Sequence, residues 1–328
     1  MNMKKEFPGY FTPTEDEFQT LWNEGVFIFD TNILLHFYRY DEKTYNEYTE
    51  KIFKDDKIKD RIWIPNRVFE EFLQNKDAVI EEQNFITDKV REQWKICLSE
   101  FSIKIKGYIG VNPNKIVEIV NQSFETEMQR LEPLIYKKIN KDTDSILKFI
   151  EEFTQDKIGE RLENNELDKI YKEGKLRYEL KYPPGYGDMK KEGNEKYGDL
   201  VIWKQILKQV QNNKSDPKFK HIIFVIDDVK PDWWLKEKGK TKGPRPELVY
   251  EITQAGASLF YMYNLEGFLK YAKQYLNIEL SESSEEEIKE ISEFVKAKTI
   301  KPINESLSAF YYQYGDLYPT LVQPNQED

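Results

Sequence analysis

The sequence predicts an α/β fold: a doubly wound, mainly parallel sheet with a helical insertion and a C-terminal helical extension. Three observations point to it. Val26-Phe27-Ile28-Phe29 and His221-Ile222-Ile223-Phe224-Val225-Ile226 are continuous apolar runs, the pattern of strands covered on both faces. Both runs end in carboxylates, Asp30 in one case and Asp227-Asp228 in the other. Between them the apolar residues recur at helical spacing, and strand alternating with helix builds a parallel sheet whose carboxyl edge binds ligands.

Taken in order, Pro8-Gly9 and Pro13 open the chain with turns, and Thr14 with Glu17 forms a capping-box signature for a short helix. After Asp30, Ile33, Leu34 and Phe37 keep helical spacing, and a polar helix is expected through Tyr45 and Tyr48. Arg61-Ile62-Trp63-Ile64, stopped by Pro65, reads as a second strand. Val68, Phe69 and Phe72 then open a helix bearing Glu70 and Glu71, which the recurrence of Ile86, Val90, Trp94, Cys97 and Phe101 extends. Two further apolar stripes, Ile116 to Ile135 with a kink expected at Pro133, and Ile146 to Phe153, describe the insertion over 102–180.

Pro and Gly from Lys181 to Asp188 predict a loop reaching Gly198, and Asp199 heads the next helix. Beyond Asp228, Lys236, Lys238, Lys240 and Lys242 mark a polar loop. A helix from Pro246, a strand around Ser258 to Tyr261 and a helix from Leu265 to Tyr275 complete the core. Ser281 to Glu287 reads as an acidic linker in which Ser284 and Glu287 cap a last helix. The tail concentrates Phe310, Tyr311, Tyr312, Tyr314 and Tyr318, which pack back on the body or dock a partner. The expected organisation is a core of 1–101 and 181–278, a helical insertion of 102–180 and an extension of 279–328.

Composition narrows the chemistry. Cys97 is the only cysteine and His36 and His221 are the only histidines, which excludes disulfide scaffolds, Cys/His zinc sites and Cys-His nucleophilic pairs. Carboxylates are left to do any catalytic work, and they bind hard ions such as Mg²⁺ or Mn²⁺. The net charge of −10 argues against indiscriminate coating of nucleic acid but allows a local basic patch beside an acidic site. No run approaches the roughly 18 apolar residues of a membrane span. Met1 to Phe7 lacks the apolar stretch of a signal peptide, so a cytoplasmic location without membrane contact is expected.

Asp30, Glu71, Asp199 and the pair Asp227-Asp228 all stand at the ends of elements. Each has a plain alternative: Asp30 and Asp199 as helix caps, Glu71 on a solvated face, Asp227-Asp228 as a turn. Parallel topology would gather them at one edge, where like charges raise each other's pKa unless a cation joins them. A divalent ion there would activate water and hold a phosphodiester oxygen. Arg245 before Pro246 at a helix start could hold a phosphate, or be an ordinary surface arginine. Trp233 and Trp234 could stack on bases or pack in the core.

Phe29-Asp30-Thr31-Asn32, Ile64-Pro65 followed by Glu71-Phe72, Tyr197-Gly198-Asp199-Leu200, and Asp227-Asp228 before Asp232-Trp233-Trp234 together resemble the PIN-like nucleases, especially their larger bacterial branch. The resemblance covers about residues 24–100 and 181–275. It implies a Mg²⁺- or Mn²⁺-dependent endonuclease, with RNA as substrate, whose one or two ions are held by Asp30, Glu71, Asp199 and Asp227 or Asp228. Asp228 keeps the two-residue offset from Ile226, which stands where the family usually has Thr. Asn32 would support Asp30; Lys196 and Arg245 would meet substrate, with Asp188 and Lys190 on the loop as further candidates. A toxin or phage-defence setting, with a regulatory protein on the insertion or tail, fits the same resemblance. The rival readings are a structure-selective DNA nuclease, a phosphatase using Asp30 as nucleophile, and a non-catalytic interaction module. The phosphatase reading is weakened because Asn32, two residues on, cannot act as general acid.

Overall fold

A computed structural model of the chain describes residues 3–300 except 107, 109, 111, 133–142 and 229. Four parallel strands form the sheet: β1 (Val26–Phe29), β2 (Ile62–Trp63), β3 (His221–Val225) and β6 (Leu259–Tyr263), in the order β2-β1-β3-β6. The antiparallel pair β4 (Trp234–Glu237) and β5 (Lys240–Pro244) stands apart from it. Registers of Phe27 with Ile223 and of Phe224 with Met262 fix the sheet. The chain leaves β1 toward β2 on one side and reaches β3 on the other, so the crevice between β1 and β3 is the topological switch point.

The apolar runs are buried on both faces for the reason the sequence suggested. Phe27 and Phe29 meet Phe268 on one side, while Phe224 meets Trp233 and Phe260 meets Trp203 on the other. All six of these aromatic rings outside Phe260 are completely buried, and each contributes about 2–3 kcal/mol by leaving water. Thr14 and Glu17 close the expected capping box, which sets the helix Glu15–Glu24 before β1.

Several expectations are corrected. The helix after β2 does not run through: Asn66–Asn84 and Ile86–Ile105 meet at Phe85, whose φ −103, ψ 15 leaves helical geometry. The helix expected through Tyr48 is likewise broken, because Asp41 caps a new start at Glu42–Tyr48. The lysine-rich segment after Asp228 is the β4–β5 hairpin rather than a loop. Lys238 (φ 49) and Gly239 (φ 78) supply the two left-handed residues a tight hairpin turn requires, and the alternating lysines hid the strands because their solvent face is charged. The last helix begins at Glu282, so Ser284 lies inside it and Glu287 accepts a hydrogen bond from the Asp41 amide at 2.7 Å instead of closing a cap.

Part of the expected insertion packs with the core. Phe149, Ile150 and Phe153 of the helix Ser145–Thr154 join the main apolar cluster, and Ile158 bridges Ile64 in parallel. Pro133 and the aromatic residues Phe310, Tyr311, Tyr312, Tyr314 and Tyr318 lie outside the described residues.

Candidate active site

Asp30 follows β1 directly, and its amide donates to the Val225 carbonyl of β3 at 3.0 Å, so it sits in the switch-point crevice. It stands at the N-cap of the helix Thr31–Leu35 with φ −78, ψ 164, yet its side chain makes no capping hydrogen bond. A carboxylate 8% exposed and not engaged as a cap is aimed elsewhere. Glu71 lies in the helix Asn66–Asn84, which packs on Thr31–Leu35. Thr31 Oγ1 donates to Glu71 Oε2 at 3.2 Å and Arg67 Nε to Glu71 Oε1 at 2.8 Å, which fixes that side chain from both sides.

Asp199 occupies the first turn of the helix Gly198–Asn212, whose dipole favours a negative charge. Trp233 Nε1 donates to its Oδ2 at 3.3 Å. A Cβ on Gly198 would lie 2.7 Å from Glu71 Oε1, so a side chain there would push that carboxylate aside. Asp228, after β3, accepts from the Lys230 amide at 2.7 Å. Lys230 then extends its ammonium among the acids, 2.9 Å from Asp228 Oδ2, 3.0 Å from Asp188 Oδ1 and 3.4 Å from Asp199 Oδ2. Among the described residues no three carboxylates close tightly enough on one point to hold an ion as they stand.

The electrostatics tie these residues into one group. Burial raises the Asp30 carboxyl well above its ordinary value, and the charges of Asp199, Glu71 and Asp228 raise it further, against partial relief from the Thr31 amide. Burial pushes Asp199 up to about 7; Lys230 opposes this, while Asp228, Asp188 and Asp232 add to it. Burial works against the Lys230 charge, but Asp199, Asp228 and Asp188 outweigh it and raise that pKa.

The profile of the PIN-like domain matches residues 26–248, which takes in every acid of this group and most of the chain. The chain belongs to the PIN-like domain family. PIN-like domains are generally nucleases and typically use divalent metals, which assigns the protein to nucleic-acid chemistry at that level. No curated protein and no solved structure matches it. None of the described helices is long and apolar enough to cross a membrane.

Within this PIN-like domain the remaining candidates divide. Asp227 is not brought to the acidic group. His36 Nε2 stands 3.2 Å from its Oδ2, Ser292 donates to the same oxygen, and Lys296 Nζ lies 2.8 Å from Oδ1. The two neighbouring side chains part beyond the end of β3, Asp228 toward the acids and Asp227 into the protein. The side chain of Asn32 has no hydrogen bond to Asp30 among the described residues. Arg245 is held by Glu247 at 2.6 Å, and Lys190 is exposed on the loop. Lys196 lies over the Tyr197 ring with its Nζ 5.3 Å from the centroid.

Sequence reasoning missed three participants. Lys230 carries no sequence signal beyond its spacing after Asp228, which lets its amide and ammonium serve the same carboxylate. Asp232 is fully buried, and the Gly187 amide donates to its Oδ2 at 2.8 Å while its Oδ1 has no partner. Thr31 positions Glu71, a role that only the helix packing reveals. Trp233, weighed for base stacking, is fully buried and orients Asp199.

The donor set fits a hard divalent ion. It consists of carboxylate oxygens, two of which burial and mutual repulsion hold above their ordinary pKa, and it includes a buried, unpartnered Asp232 oxygen nearby.

Proposed function

We propose that this protein is a divalent-metal-dependent endonuclease that hydrolyses phosphodiester bonds in RNA. The observation that carries this reading is the gathering of Asp30, Glu71, Asp199 and Asp228 at the switch point of a parallel sheet in a PIN-like domain. Asp30, Glu71, Asp199 and Asp228 would hold Mg²⁺ or Mn²⁺, which when bound supplies a Lewis acid that activates water and polarises the phosphate. The chain's own residues do the rest. Thr31 and Arg67 orient Glu71, Trp233 orients Asp199, and the crevice walls built from β1 and β3 keep the acids partly out of water.

Lys196, Lys190 and Arg245 are proposed to meet the sugar-phosphate backbone, since phosphate contacts fix register without reading sequence. The insertion exposes Ile103 and Ile119, and a regulatory protein partner is proposed for that arm. The RNA preference follows the family resemblance.

The test is incubation of purified protein with labelled single-stranded RNA, folded tRNA and flap DNA, in Mg²⁺, Mn²⁺ or EDTA. Cleavage of RNA that EDTA stops, and that Asp30→Asn lowers by about 100-fold or more, is the expected result. Cleavage of DNA alone would transfer the assignment to a DNA nuclease, and no cleavage with no Mn²⁺ binding would favour an interaction module.

A further inference from the structure

Lys230 is placed like a cation that belongs to the site rather than like a surface lysine. Its ammonium touches three carboxylates contributed by three separate segments: Asp188 from the loop before the helix Gly198–Asn212, Asp199 from that helix, and Asp228 from the end of β3. Its side chain is 21% exposed. The stem is lodged against Gly187, where a Cβ would come within 3.1 Å of Lys230 Cδ. The backbone is tied on both sides, with the Lys230 amide donating to Asp228 Oδ1 at 2.7 Å and its carbonyl accepting from Trp233 at 3.3 Å. Solvated ion pairs are worth little because two long side chains must be ordered against water and salt. Here backbone anchoring and burial have already ordered the lysine.

The opposite side of the acidic group is arranged differently. The largest charge effects on Asp30 all come from carboxylates, namely Asp199, Glu71 and Asp228. Glu71 is shared between Thr31 and Arg67 and has no contact with Lys230. Cations therefore already sit against two parts of the group, Lys230 against Asp188, Asp199 and Asp228 and Arg67 against Glu71, while Asp30, which feels the charges of both parts, has no ion pair among the described residues. We propose that Lys230 is a resident second cation, filling one of two cation positions so that the acids take a single divalent ion, at Asp30. This rests on the metal-dependent reading above.

A compact ammonium carries one charge where a divalent ion carries two, and it cannot be washed out by a chelator. Removing it should open a second ion position. The experiment counts Mn²⁺ per chain by isothermal titration calorimetry and by electron paramagnetic resonance of the free ion, without reference to turnover. The native protein is expected to bind one Mn²⁺, Lys230→Gln two, and Lys230→Arg one. Two ions on the native chain, or one on Lys230→Gln with unchanged affinity, would overturn the proposal. No ion on the native chain would overturn the metal-dependent reading and the proposal with it.

Circular dichroism melts establish that each variant is folded. Should Lys230→Gln fail to fold, the native protein still decides. With ¹⁵N-labelled lysine, and with Lys230→Arg to assign the signal, the Lys230 ammonium resonance is expected to persist at saturating Mg²⁺. Its disappearance on saturation would mean that the ion displaces it, which is the contrary result.

Discussion

At the scale of single residues, the site is defined by carboxylates that the fold holds in an unfavourable state. Asp30 keeps its proton in the folded chain at pH values where the unfolded chain, with an ordinary value of 3.8, has already released it. The folded state therefore binds more protons than the unfolded one above that value, and its stability without metal falls as pH rises. For Asp199 the same loss runs from 3.8 to about 7. In EDTA at pH 8, Asp30→Asn should accordingly be more stable than the native chain, with the advantage gone near pH 4. Urea unfolding at the two pH values checks this; an equal difference at both would mean that the Asp30 charge is not the cause. Gly198→Ala tests the geometry separately. The atom it would strike is the carboxylate end of Glu71 rather than backbone, so stability should change by less than about 1 kcal/mol while Mn²⁺ affinity falls about tenfold, as read by calorimetry.

At the scale of elements, the end of β3 works in two directions. Asp228 faces the acidic group, whereas Asp227 is held by His36, Ser292 and Lys296, which pins the helix Glu282–Ile300 to the strand. Burial opposes the Asp227 charge, but the hydrogen bond from His36 and the nearby Lys296 ammonium more than offset it and lower its pKa. Removing one partner leaves the other charge poorly compensated, so Asp227→Ala should destabilise the chain by about 3 kcal/mol. Hydrogen exchange should accelerate across Glu282–Ile300 in that variant, while protection in β1 changes less. Uniform loss of protection would show instead that this helix does not open by itself. The element scale also explains the hairpin of β4 and β5, whose Trp234 indole donates to the Asp228 carbonyl and so steadies the turn that carries both Asp228 and Lys230.

At the scale of the whole molecule, a bound ion should stabilise the fold because it binds the native arrangement and relieves its repulsion. At Mn²⁺ a hundredfold above its dissociation constant the gain is about 2.7 kcal/mol. That corresponds to a rise of roughly 4 °C in the melting midpoint for a chain of this length, and it should vanish in Asp30→Asn. The sequence by itself determined the parallel sheet and the acids at its edge. Uninterrupted apolar runs can be buried only between two helical layers, and parallel strands share one carboxyl edge whatever the loops between them do. Local spacing could not say which way Asp227 points, because adjacent carboxylates differ only in what the rest of the chain packs against them. Nor could it separate Lys230 from the other lysines. Its role depends on Asp188 and Asp199 arriving from distant segments, and that convergence is a property of tertiary structure alone.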